Sequence, residues 1–212
     1  MNSAAGRPRI RGLYAIADTG ILAPDRLLMA VRQAISGGAR IIQYRDKSRD
    51  AEIRRKQALA LADLCHELGA ILIVNDDVAL AKSVNADGVH LGRHDPHIIS
   101  ARNRLGDDAI IGVSCYNEIE RARQAGRDGA DYVAFGSFYP SSVKPEAVCA
   151  SPVLLQQAKQ ELDLPVVAIG GITPDNGAEL IAAGADALAV ITGVFGAENI
   201  REAAEKYSRL FA

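Results

Sequence analysis

Short apolar runs recur along the chain, spaced widely enough for a helix to fit between most pairs. The first four are Leu13-Tyr14-Ala15-Ile16-Ala17, Ile41-Ile42-Gln43-Tyr44, Ile71-Leu72-Ile73-Val74 and Gly88-Val89-His90-Leu91. Ile110-Ile111-Gly112-Val113, Tyr132-Val133-Ala134-Phe135, Val166-Val167-Ala168-Ile169 and Leu188-Ala189-Val190-Ile191 follow. They are near-continuous rather than alternating, the pattern of parallel strands covered on both faces. Between them lie Ala- and Leu-rich stretches of helical period. Leu27, Leu28, Val31 and Ile35 form one stripe, and Leu59, Leu61, Ala62, Leu64, Cys65 and Leu68 another. Leu180-Ile181-Ala182 and Ala203, Ala204 and Tyr207 mark the last two. Several stretches end in glycine just before the next run, as in Gly37-Gly38-Ala39-Arg40, Gly129-Ala130-Asp131 and Gly184-Ala185-Asp186. Glycine suits the left-handed position after a helix, so this triplet is an internal repeat.

Eight strand–helix units predict an α/β fold, a single-domain (β/α)8 TIM barrel. A doubly wound open sheet is the alternative, but it seldom needs eight units. No linker or charge block splits the 212 residues. Residues 1–212 therefore read as one barrel domain, with 1–9 as a flexible N-terminal extension. A chain of this length buries roughly 70% of its unfolded surface, enough for a full core without staples.

Composition narrows the function classes. Hydrophobic residues are 49% and charged residues 24%, which excludes disorder, collagen and coiled coil as the main description. Lys plus Arg is 24 against 26 Asp plus Glu, so the basic excess of a nucleic-acid binder is missing. Cys65, Cys115 and Cys149 are odd in number and far apart, which fits a reducing, cytoplasmic compartment rather than a disulfide framework. Met1 to Arg11 has no apolar stretch and does not read as a secretory signal. No apolar run approaches the roughly 18 residues of a membrane helix.

The barrel directs attention to the C-terminal strand ends, where active sites of this fold lie. After the second strand, Gln43, Arg45 and Lys47 alternate along an extended segment and so point the same way. An amide with two fixed cations suits a phosphorylated ligand; a solvated charged loop is the other reading. Asn75-Asp76-Asp77 follows the third strand and Gly92-Arg93-His94-Asp95 the fourth. Asp76 and Asp95, from neighbouring loops, suit Mg2+ bridging to a diphosphate. Both also stand where a helix N-cap belongs. His90 reads as a packed barrel residue, and His94 and His97 as surface helix residues. Strand five ends at Ser114, whose hydroxyl bonds a heterocycle or caps the next helix. The loop from Gly136 to about Ala150 is long and carries Ser141, Ser142, Val143 and Lys144, as expected of a phosphate-binding flap. Gly170-Gly171 after strand seven, and Ile191, Thr192 and Gly193 after strand eight, stand where backbone N–H groups often hold phosphate in this fold. Two anion sites suggest two phosphorylated substrates, or one long one.

These residues resemble the thiamine phosphate synthase (thiamine-phosphate pyrophosphorylase) family from about residue 10 to 205. The carriers are Gln43-Tyr44-Arg45-Asp46-Lys47, Asn75-Asp76, Gly88 to Gly92 with Asp95, Ile111 to Ser114, Gly136 to Lys144 and Val167 to Ile172. The resemblance implies a transferase on a (β/α)8 barrel. It would couple 4-amino-5-hydroxymethyl-2-methylpyrimidine diphosphate with a thiazole phosphate and release pyrophosphate. It implies that Gln43, Tyr44, Arg45, Asp46, Lys47, Asn75 and Lys144 surround the pyrimidine diphosphate and that Asp76 and Asp95 hold Mg2+. Ser114 would contact the pyrimidine. Ser141, Ser142, Val143, Gly171, Ile191 and Thr192 would surround the thiazole phosphate. Arg45, Lys47, Lys144 and Ser114 would act on the reacting groups. The sequence departs from the family pattern at Arg93, where glutamine is usual, at Val143, where a hydroxyl is lost, and at Thr192, where serine is common. Small-molecule substrates are implied, with neither nucleic acid nor membrane as partner. A homodimer is compatible with the barrel. The rivals are a thiazole tautomerase-like isomerase, a sugar-phosphate epimerase or aldolase, and a non-catalytic regulator that binds thiazole phosphate. Arg45, Lys47, Asp76, Asp95 and Lys144 count against the tautomerase, Lys47 and Lys144 lie in loops rather than on strands as an epimerase or aldolase would need, and metal-dependent turnover separates the synthase from the regulator.

Overall fold

The computed structural model describes residues 10–140 and 148–212. The proposed extension 1–9 and the flap residues Ser141, Ser142, Val143 and Lys144 lie outside the described residues. Eight parallel strands close into a barrel in sequence order. They are β1 (Gly12–Asp18), β2 (Ile41–Arg45), β3 (Ile71–Asn75), β4 (Gly88–Leu91), β5 (Ile110–Tyr116), β6 (Tyr132–Phe135), β7 (Val166–Ile169) and β8 (Ala187–Val190). The helices are α1 (Leu27–Ser36), α2 (Ala51–Leu68), α3 (Val78–Ser83), α4 (Ile98–Leu105), α5 (Ile119–Arg127), α6 (Pro152–Glu161), α7 (Pro174–Ala182), α8 (Thr192–Phe195) and α9 (Ile200–Ser208). The apolar runs thus become the strands, and the single-domain (β/α)8 reading holds. No helix among the described residues is long and apolar enough to cross a membrane.

The core has two layers. Tyr14, Ile16, Ile41, Ile73, Tyr132 and Val167 pack inside the barrel, whereas Ile42, Tyr44, Leu61, Leu72 and Leu180 pack between the barrel and its helices. The two-residue period of a strand sorts a continuous apolar run into these layers. In β2, Ile41 goes inward with Gln43, which lines the cavity at the barrel mouth, while Ile42 and Tyr44 go outward.

The helix stripes are narrower than the sequence suggests. Leu28 and Leu59 are 43% and 40% exposed, and α1 buries Ala30 and Ala34 beside Leu27 and Val31. Alanine brings a helix close to the barrel, and the flanking leucines are turned outward. The repeated glycines take the expected conformation, with φ of 99° at Gly38, 89° at Gly129 and 117° at Gly184. The aspartates after them have a further task. Asp131 and Asp186, with Asp87 in the equivalent place, accept backbone N–H bonds from Ile111 (2.8 Å), Val166 (2.8 Å) and Leu72 (2.7 Å). Each carboxylate so ties the start of its strand to the start of the preceding one.

Two expectations at the strand ends change. Strand β5 runs on to Tyr116, with a register shift after Ser114. Helix capping does not account for Asp76 or Asp95. Asp77 caps α3, accepting the Leu80 N–H at 2.8 Å, and His97 precedes α4 without a side-chain cap bond. His94 therefore lies in the turn before α4 rather than on a helix.

Candidate active site

The C-terminal strand ends surround a cavity of about 360 Å³. One side of it is a chain of polar side chains, buried except for the half-buried Ser114, drawn from five strands. Gln43 Nε2 donates to Tyr14 Oη at 2.8 Å, and Tyr14 Oη lies 2.8 Å from Tyr132 Oη. Tyr132 Oη lies 2.9 Å from His90 Nδ1, and His90 Nε2 lies 2.8 Å from Ser114 Oγ. All five residues line the cavity. Burial raises the pKa of both tyrosines well above the ordinary phenol range.

Arg45, at the end of β2, also lines the cavity, and its guanidinium is ion-paired with Asp18 at the end of β1. Asp18 is buried. Its second oxygen, Oδ1, accepts the Gly20 N–H at 2.9 Å. Asp18 thus fixes the arginine from a neighbouring strand.

Lys47, Asp76 and Asp95 gather at the ends of β2, β3 and β4. Lys47 Nζ is ion-paired with Asp76 Oδ2, and the Asp76 and Asp95 carboxyls are hydrogen-bonded to each other. Asp95 Oδ2 also accepts the Gly92 N–H at 2.6 Å. Burial and the Asp76 carboxylate raise the Asp95 pKa. Burial pulls Asp76 the same way, but the Asp95 hydrogen bond and the Lys47 ammonium outweigh it and lower its pKa. Contact between two like charges thus pushes the two carboxyls in opposite directions. Asp76 itself sits at φ 63°, a left-handed conformation that is uncommon outside glycine, and its N–H donates to the His90 carbonyl at 2.8 Å. Local strain of this kind concentrates at functional sites.

The donor set fits a hard divalent cation. It is all oxygen, and two carboxyls in contact favour positive charge between them. Among the described residues no group of three or more His, Cys, Asp or Glu gathers. Magnesium needs no such cage, because it takes one or two carboxylates and completes its shell with water and phosphate oxygens.

Opposite this cluster, Gly170 and Gly171 follow β7 with φ of 103° and 61°. A Cβ at Gly171 would run into the Pro140 carbonyl oxygen, so the backbone of the loop after β6 approaches at a distance only glycine allows. Gly171, Ile191, Thr192 and Gly193 all line the cavity. The described flanks of the long loop are tied together by Ser137 N–H to Val148 O at 3.0 Å and Ala150 N–H to Ser137 O at 2.8 Å.

Most of the singled-out residues converge. Gln43, Arg45, Asn75, Ser114, Gly171, Ile191 and Thr192 reach the cavity. Tyr44 does not, because its hydroxyl points outward and shares its one proton between Gln57 Oε1 at 2.7 Å and Asp46 Oδ2 at 3.0 Å. Asp46 in turn accepts the Ser48 N–H at 2.6 Å, which makes it a loop-shaping residue. Lys47 stands beside the cavity rather than in it, with 57% of its side chain exposed.

Several residues of the site were not legible in the sequence. Asp18 ends a strand whose apolar run stops one residue earlier. His90, read as packing, is a link in the polar chain. Tyr116 lines the cavity at φ 56°, with the Arg93 guanidinium 4.9 Å from its ring centroid. Arg93 is also ion-paired with Glu118. Arg121 clamps two strand ends, donating to Ser114 O at 2.7 Å and Gly92 O at 3.1 Å. The one available signal was position, since each lies within a few residues of a strand's C-terminal end.

By sequence the chain is similar to one family. The family model described as thiamine monophosphate synthase matches residues 13–194. A thiamine-phosphate synthase of Nitrosococcus oceani is 54% identical over 202 residues, covering 95% of this chain and 93% of that one. One from Nitrosospira multiformis is 52% identical over 210 residues, covering 99% and 89%. Among solved structures, a thiamine phosphate pyrophosphorylase from Pyrococcus furiosus superposes with a TM-score of 0.85 at 36% identity, covering 94% of this chain and 95% of that one.

Proposed function

The chain belongs to the thiamine monophosphate synthase family, and on that premise we propose the chemistry of its cavity. It is a transferase of the thiamine-phosphate synthase type. In our reading the substrates are 4-amino-5-hydroxymethyl-2-methylpyrimidine diphosphate and a thiazole phosphate, and the products are thiamine phosphate and pyrophosphate. The observation that carries this reading is the Lys47–Asp76–Asp95 cluster beside the cavity that Arg45 lines. An isomerase of thiazole phosphate has no use for that cluster.

Gln43 and Ser114 hold the pyrimidine, while Arg45, Lys47, Asn75 and Lys144 hold its diphosphate. Asp76 and Asp95 hold Mg2+, which supplies positive charge to the leaving pyrophosphate. The thiazole phosphate lies against Gly171, Ile191 and Thr192, with Ser141, Ser142 and Val143 completing its surroundings. Tyr44 and Asp46 support the loop that carries Lys47.

The carbon bonded to the diphosphate is benzylic in type, and the ring amino group stabilises positive charge there. The C–O bond ionises, and its electron pair leaves with pyrophosphate. Arg45 and Lys47 meet that charge from fixed positions, so little reorganisation accompanies the step. The thiazole nitrogen, positioned by its phosphate, then donates its lone pair to the cation and closes the C–N bond. No protein base is required.

The test is an assay of purified protein with both substrates and Mg2+, following thiamine phosphate and pyrophosphate with and without EDTA. Product that disappears with EDTA supports the reading. Folded protein that makes no product with Mg2+ contradicts it.

A further inference from the structure

The chain Gln43–Tyr14–Tyr132–His90–Ser114 has a direction. An amide nitrogen donates and does not accept, so the Gln43 bond fills an acceptor place on Tyr14 Oη. The hydrogen-bond partner then left for the Tyr14 proton, among the described residues, is Tyr132 Oη. Tyr132 passes its own proton to His90 Nδ1. That nitrogen accepts only when it carries no proton, which places the ring proton on Nε2. Nε2 donates to Ser114 Oγ, and the serine proton is left to face the cavity that Ser114 lines. The reverse order fails at its far end. Tyr14 Oη would accept from both Gln43 and Tyr132, and its own proton would have no acceptor among the described residues, a defect folded proteins avoid. Both phenols are fully buried, and burial keeps them protonated near neutral pH.

We propose that this relay fixes His90 as the Nε2–H tautomer and presents Ser114 Oγ as a hydrogen-bond donor, so that this wall selects a ligand atom that accepts, such as a heterocyclic ring nitrogen. Tyr14, Tyr132 and His90 are then positioning residues: they touch no reacting atom but set the polarity of a residue that meets the substrate. The polarity rests on the Gln43 amide, whose Nε2 faces Tyr14 Oη, and on the hydrogen-bond geometry that follows from it. The identity of the acceptor, a pyrimidine ring nitrogen, rests on the proposed function.

Two measurements test it. Long-range 1H–15N correlation on uniformly 15N-labelled protein reads the protonation of each histidine ring nitrogen, and the signals absent from His90→Gln belong to His90. The expected pattern is an unprotonated Nδ1 and a protonated Nε2. A proton on Nδ1 overturns the proposal. The second measurement is steady-state kinetics of Tyr132→Phe, which keeps the ring and removes the donor to Nδ1. Losing one such hydrogen bond should lower kcat/KM for the pyrimidine diphosphate about tenfold, with KM for the thiazole phosphate unchanged. Wild-type kcat/KM in Tyr132→Phe overturns the positioning role. The spectrum does not depend on turnover. An inactive protein with the expected tautomer therefore upholds the relay and refutes the assigned reaction, while an active one with a proton on Nδ1 does the reverse.

Discussion

The two ends of the barrel use aspartate in opposite ways. At the N-terminal end, Asp87, Asp131 and Asp186 each accept a backbone N–H from a neighbouring strand and face a basic side chain, namely His66 (3.4 Å), Arg102 (2.6 Å) and Lys159 (3.0 Å). At the C-terminal end, Asp76 and Asp95 face each other, with one exposed lysine as counter-charge. The first arrangement satisfies each carboxylate within the fold. The second brings two acids into contact, which costs energy unless a proton or cation lies between them. A carboxylate whose partner is a strand amide serves the architecture; the paired carboxyls are the ones to which the proposed function assigns a cation.

Substitutions at the two ends should therefore separate rate from stability. The largest effect belongs to Asp76→Asn, chosen because asparagine tolerates the left-handed backbone. We expect kcat to fall about 10²–10³-fold, as for other groups that stabilise developing charge, with thermal unfolding near that of wild type. A wild-type rate removes Asp76 from the diphosphate site. Next comes Asp131→Ala, which strips the Ile111 N–H and Arg102 of a shared partner. It should cost about 2–4 kcal/mol of stability, seen as a Tm lowered by roughly 5–15 °C, while kcat per folded molecule is kept. Loss of turnover without loss of stability would reverse the roles assigned to the two ends.

Smaller effects sharpen the boundary. Asp18→Asn keeps the shape beside Arg45 but removes its charge partner, and KM for the pyrimidine diphosphate should rise about tenfold, roughly 1.4 kcal/mol. An unchanged KM would make Asp18 a purely structural residue. Arg93→Gln should do least. Its ion pair with Glu118 is exposed, 47% on one side and 45% on the other, and solvent screens such pairs. Kinetics within about threefold of wild type are expected, and a larger change would make the Arg93–Tyr116 contact part of the cavity's function.

The barrel was legible because its signal is repeated. Each strand run and each glycine before a strand says the same thing, and strand order followed directly. Gln43 and Arg45 were legible because a two-residue period fixes their direction once the strand is placed. Tyr44 obeys the same period: in a strand it must face away from Gln43, and its hydroxyl meets Gln57 on α2. The polar chain was not legible. Tyr14, Tyr132 and His90 each look like core residues inside apolar runs, and only closure of the barrel brings β1, β4, β5 and β6 within hydrogen-bond reach across its interior. Capping was resolved by one residue of register, which puts Asp77 rather than Asp76 on α3.

The account turns on the claim that the carboxylates at the C-terminal end form a cation-assisted diphosphate site while those at the other end belong to the fold. Thermal unfolding with Mg2+ and pyrophosphate together tests it without turnover, because a ligand bound by the folded state raises Tm. The account predicts a raised Tm in the wild-type protein, the same rise in Asp131→Asn from a lower starting point, and none in Asp95→Asn. An equal rise in Asp95→Asn, or no rise in the wild-type protein, would contradict it.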